Sequence, residues 1–178
     1  MKPITLKMAV IIAIPFGILS IWLGNRIYYN YLDKTLTSST AYEHFFDPYE
    51  ICINTRGSGN IDALNIMAIK AYNEGNYKNA GIYFDSLIIN SPSAGYLLYA
   101  GISKMETENF TGAISLFNRI GTDYPGSPFT EQAEWYKALA MLQTGYNKKE
   151  SRNLIKTIAE SDSYYNKFAC EIFKSITK

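Results

Sequence analysis

One block of this chain recurs at a spacing of 33. Asn76–Ile88 (NYKNAGIYFDSLI) aligns with Asn109–Gly121 (NFTGAISLFNRIG), placing Ala80 on Ala113, Phe84 on Phe117 and Tyr77 on Phe110. Beyond the block, Pro92 falls on Pro125. Self-similarity at such a period marks stacked supersecondary units, none of which can bury its apolar face alone. In each copy Ala and Phe stand four positions apart, one helical turn. The Ala predicts a tight helix crossing, and the Phe fills the space behind it. Gly75 supplies the left-handed residue that ends a first helix. Pro92 and Pro125 stop the second helices. Asn60, Ser93 and Ser127 are the expected N-caps of the first helices, with Pro128 at the favoured first helical position.

A third copy is fainter. Taking Gly145 as the counterpart of Gly75 puts Glu150 in the Ala position and Leu154 in the Phe position. Its offset from the second copy is then 37, with the extra length assigned to Gly126–Phe129. Its second helix, Lys148–Ala159, is the most polar of the set, as expected of a terminal repeat with one face in water. A closing helix follows over Ser163–Ile176. Tyr165, Phe168, Ala169, Ile172, Phe173 and Ile176 form its apolar stripe, with Asp162 or Ser163 as its cap.

The Ala/Phe/Pro offsets and the period resemble the tetratricopeptide (TPR) repeat, over roughly residues 61–160. Two departures stand out. Leu64 and Leu97 replace the first-helix aromatic, and Glu108 stands where a turn Gly is usual. The stretch Ala133–Gly145 (AEWYKALAMLQTG), with the Lys-rich turn and Tyr-rich helix after it, is similar to small bacterial membrane-anchored TPR proteins. The resemblance implies an all-α solenoid of about three helical hairpins plus a capping helix. It also implies a protein-interaction module without enzymatic activity. In TPR solenoids the first helix of each hairpin lines a concave groove. Carried over, that geometry gives Asn65, Ile69 and Tyr72, then Leu98, Ile102 and Met105, then Trp135, Leu139 and Leu142. This set holds no Lys or Arg, so it lacks the carboxylate-clamp subtype that grips acidic chain termini. An apolar groove suits an amphipathic helix or an extended apolar segment. Several of these side chains, Leu98 and Ile102 above all, are also placed to pack between repeats.

Residues 1–32 read as a membrane anchor. Met8–Leu23 (MAVIIAIPFGILSIWL) carries no charge, and Lys7 is the only charged residue from Ile4 to Leu23. At ~1.5 Å per residue that stretch matches a bilayer core of ~30 Å. Trp22, Tyr28, Tyr29 and Tyr31 gather at one end, as rings do at the headgroup level. A cleaved leader should end in small residues, whereas Ser20–Gly24 (SIWLG) is bulky, so an uncleaved single-pass anchor is expected. Lys2, Lys7 and the amino terminus slightly outweigh Arg26 and Lys34. The bias favours a cytoplasmic amino terminus and an extracytoplasmic, periplasmic repeat domain at an inner membrane.

Residues 33–60 form a connector between this anchor and the repeat domain at 61–178. It opens on Thr35–Thr40 (TLTSST) and closes on Arg56–Asn60 (RGSGN), both turn-rich and without helical periodicity. Between them His44–Ile53 (HFFDPYEICI) is too apolar for a solvated tether. It is expected to dock in extended form on the folded domain or on a partner, filling the groove or capping the first repeat.

Composition removes other classes. With 17 Lys+Arg against 16 Asp+Glu, nothing favours a phosphate backbone, which argues against nucleic acid. Cys52 and Cys170 are too few for a disulfide framework and lack metal-ligand spacing. His44 with Cys52 has no orienting third group, so no nucleophile is expected there. Glu131 and Glu134 read as a solvated first helical turn. No phosphate loop is present. The chain is therefore expected to be no enzyme, with no cofactor and no small-molecule substrate. A membrane-tethered scaffold for a protein partner, other membrane proteins included, is the leading function. A permanent structural subunit of an envelope complex is the alternative.

Overall fold

A computed structural model describes residues 40–51 and 60–177. The expected anchor, 1–32, lies outside them, as does Cys52. Eight helices make up the described residues, with no strand among them: α1 Thr40–Phe45, α2 Asn60–Asn73, α3 Tyr77–Asn90, α4 Ala94–Glu106, α5 Phe110–Asp123, α6 Thr130–Thr144, α7 Lys148–Ala159 and α8 Asn166–Ile176. From α2 onward each helix packs on the next, α4 also meets α6, and α1 lies against α6. No helix among the described residues is long and apolar enough to cross a membrane.

The second helices α3, α5 and α7 start alike. Asn76, Asn109 and Asn147 are their N-caps, each side chain accepting a hydrogen bond from the backbone N–H three positions on, at 3.3, 3.1 and 3.3 Å. These caps satisfy donors the first turn would otherwise leave open. Asn heads both aligned blocks, a signal that the Ala/Phe spacing leaves unused.

Downstream of the caps the buried positions repeat. Ala80, Phe84 and Leu87 are solvent-excluded, as are Ala113, Phe117 and Ile120. In the third hairpin the corresponding side chains are Ser151, Ile155 and Ile158, all buried. The expected Glu150 and Leu154 are displaced by one: Glu150 is exposed and Leu154 half-buried. The turn before α7 causes the shift. Gly75 and Gly145 both take left-handed φ, +72° and +66°, but Asn147 is also left-handed at +41°, adding one residue between the Gly and the cap. A register anchored on the Gly therefore falls one position short.

First helices carry a matching row of small residues, Ala68, Gly101 and Ala138, all buried. A Cβ on Gly101 would stand 2.4 Å from the Phe117 ring, so only a bare backbone lets α4 and α5 approach this closely. Ser93 caps α4 by accepting from Tyr96 N–H at 3.2 Å, as expected. Ser127 does not cap α6. Its hydroxyl accepts from Phe129 N–H inside a turn, and the helix begins only at Thr130. Asn60 is the first residue of α2 rather than its cap.

The connector departs from a purely extended form. Thr40–Phe45 is one short helix, and its Tyr42 stacks on Phe46 just beyond its end at 4.7 Å. Pro48 then forbids continuation of the helix. So brief a helix carries no periodic signal.

At the far end α8 starts at Asn166, later than the expected Ser163. Glu131 holds its entry. The carboxylate accepts from the Ser163 hydroxyl at 2.6 Å and from Tyr164 N–H, while Ser163 Oγ accepts from Tyr165 N–H at 3.0 Å. Glu131 is thus an inter-helix cap and not a solvated charge. Between helices, Lys104 meets Asp85 at 2.7 Å and Lys137 meets Glu150 at 3.2 Å. Both pairs are partly exposed and worth little individually.

Two substitutions test this packing by urea unfolding. Gly101→Ala gains helix propensity but overpacks against Phe117, and a net loss of about 1 kcal/mol is expected. Glu108, left-handed at φ +61° where Gly75 and Gly145 stand in the neighbouring repeats, carries strain. Glu108→Gly is expected to gain about 0.5–1 kcal/mol. A gain from the first or a loss from the second would contradict the packing described.

Candidate partner-binding groove

The connector lies across the first helices, held by tyrosine hydroxyls that reach its backbone. Tyr72 of α2 donates to the Tyr49 carbonyl at 3.0 Å. Tyr136 of α6 donates to the Asp47 carbonyl at 2.6 Å, and its oxygen faces the Tyr49 N–H. In the other direction Tyr42 of α1 donates to the Met105 carbonyl of α4 at 3.4 Å. An extended peptide entering an apolar groove must have its backbone polar groups satisfied, and these hydroxyls do it without regard to side-chain identity.

Aromatic rings supply the remaining contact. Phe46 packs edge-on to Tyr136 at 5.8 Å, and Tyr42 edge-on to Phe110 at 5.1 Å. Phe45 meets Trp135 at 6.4 Å and Phe168 at 5.7 Å. Trp135 in turn stacks nearly parallel on Tyr165 at 5.0 Å. Behind the connector, Tyr72 touches Tyr77, Phe84 and Tyr99, tying the dock to the hairpin core. His44 sits edge-on to Phe45, with no metal-binding cluster among the described residues.

Burial raises the hydroxyl pKa of Tyr42, Tyr72, Tyr136 and Tyr165. For Tyr42 burial, then the Glu106 and Glu108 charges, lift it from 10.0 to about 12. Tyr165 reaches about 12 through burial, with Tyr49 and Glu131 adding to the effect. Tyr72 and Tyr136 shift upward as well, again through burial first. Glu106 is pushed up by burial.

Of the nine groove residues expected from the sequence, four meet the connector or the space beside it. Asn65 and Trp135 line that space, Tyr72 binds the Tyr49 carbonyl, and Met105 contributes its backbone carbonyl. Leu98, Ile102 and Leu139 are wholly solvent-excluded, and Ile69 and Leu142 are buried with them. Tyr136, Tyr99, Phe129, Tyr165 and Phe168 fall outside the expected set, yet they supply much of the aromatic wall. Tyr99 and Tyr136 share one repeat position, next to Leu98 and Trp135, and that coincidence was the available signal. Cys170 is half-buried with its thiol 3.5 Å from the Ala159 carbonyl, remote in role from this site.

A cavity of about 1150 Å³ remains between the connector and the first turns of α4, α6 and α8. Two of its lining residues, Asn65 and Gln132, have side-chain carbonyls that are buried without a hydrogen-bond partner. Each such orphan costs about 1–3 kcal/mol, so the site is incompletely satisfied. No protein-family model, curated protein or solved structure matches the chain.

Two measurements probe the dock. Tyr136→Phe keeps the ring and removes the bond to Asp47, a loss of about 1 kcal/mol, so chymotryptic cleavage after Phe45, Phe46 or Tyr49 should quicken about fivefold. Unchanged cleavage would refute the dock. Because the docked Tyr42 holds its proton more tightly than a free tyrosine, docking is undiminished below pH ~10 and weakens as pH rises through about 12. Cleavage by an alkaline-stable protease should rise over that window, ahead of any loss of helical circular dichroism.

Proposed function

We propose that this chain is a TPR-like, membrane-tethered interaction module that binds a protein partner through the groove crossed by its connector. The helical hairpins with matched buried positions support a TPR-like solenoid. The apolar run Met8–Leu23 supports anchoring by a single span, with the repeat domain outside the cytoplasm. One observation carries the binding reading: α2 and α6 already grip an aromatic peptide by its backbone, through Tyr72 and Tyr136 and a row of rings. A surface that satisfies carbonyls and stacks aromatics fits a partner segment of similar character.

The test is site-specific photocrosslinking in native membranes. Tyr164, exposed at the cavity rim, is replaced by benzoylphenylalanine, and Ile82, exposed on α3, serves as the control. A discrete protein adduct from position 164 and none from 82 is expected. Equal labelling from both, or no adduct from 164, would sink the reading.

A further inference from the structure

The connector does not fill the space over which it docks, and the walls of what remains are chemically one-sided. Partly exposed aromatic rings such as Tyr96, Phe129 and Phe168 line it. The connector contributes the exposed carboxylates Asp47 and Glu50. Asn65 and Gln132 also line it, with their side-chain carbonyls buried and without a donor. No lysine or arginine among the described residues lines the cavity. Carboxylates and the negative faces of rings ask for the same thing, a donor-rich cation. They repel phosphate, carboxylate and any acidic segment. A guanidinium answers best, since its plane stacks on an aromatic face while its five donors point outward to acceptors. A compact ammonium can do only the second.

We propose that the cavity between connector and solenoid receives an arginine-bearing extended segment of a partner protein, its guanidinium laid on the aromatic wall and met by the carboxylates of Asp47 and Glu50. This rests on reading the groove as a peptide site. The connector is then part of the binding site and not a competitor for it, because it brings both carboxylates. Its volume accommodates several residues of extended chain rather than one side chain.

The experiment uses the full chain in detergent micelles and the anisotropy of a fluorescein-labelled peptide, Gly-Phe-Arg-Pro-Tyr-Arg-Phe-Gly. Two companions replace each arginine by citrulline, its uncharged isostere, or by glutamate. The arginine peptide is expected to bind about tenfold tighter than the citrulline one, and the glutamate peptide weakest. Asp47→Asn combined with Glu50→Gln, both exposed positions, should erase the arginine preference. Phe45→Ser with Phe46→Ser should weaken arginine binding by undocking the connector. Equal affinity for arginine and citrulline peptides overturns the inference and leaves the groove reading standing. Tighter binding after Phe45→Ser/Phe46→Ser makes the connector a competitor and overturns the composite cavity. If Arg56→Gln tightens the probe, the chain's own arginine is the occupant and the partner assignment falls. Failure of all three peptides to bind overturns the groove reading as well.

Discussion

Close approach of backbones at small residues is the constraint on which this structure depends. Gly101 leaves room for the Phe117 ring where any Cβ would collide, and Ala68 and Ala138 hold the same place in the neighbouring hairpins. Ala80, Ala113 and Ser151 do likewise on the second helices, with Phe84, Phe117 and Ile155 one turn behind. Small and large thus alternate across each interface, the complementarity that lets its side chains interdigitate. Successive helices then pack in order from α2 to α8, and α4 also meets α6.

That arrangement creates the dock. Tyr72 and Tyr136 stand on α2 and α6, far apart along the chain, yet they reach carbonyls only two positions apart in the connector. Neither bond could form unless α4 held its neighbours at the right separation. The same geometry explains why burial raises the tyrosine pKa values: each phenol is solvated by protein alone, so ionisation is penalised while the neutral donor persists. Glu131 plays a comparable part at the other end, where its carboxylate fixes the entry of α8 and so positions Tyr165 against Trp135.

Structure was legible in the sequence where a residue type has one physical use. Ala and Phe four apart, repeated at an offset of 33, located the tight crossings of α3 and α5 because identical side chains recur there. The register slipped in the third hairpin, since Gly145 and Asn147 both turn left-handed and a second such residue cannot be foreseen from a single Gly. Ser127 was misread too, because its hydroxyl serves a turn instead of a helix. Of the groove set, Leu98, Ile102 and Leu139 are core, because aliphatic periodicity reports burial without saying which neighbour does the burying.

What the sequence determined by itself is the helical hairpin, its period and its small-to-large alternation, all of which are local or repeat-encoded. It determined too that the rings of the connector need cover, since so many in one tether are costly to leave in water. Only the tertiary structure decided what covers them. The bond from Tyr136 to Asp47 joins positions 89 apart, and no local pattern encodes a contact whose partners meet only after every hairpin between them has packed.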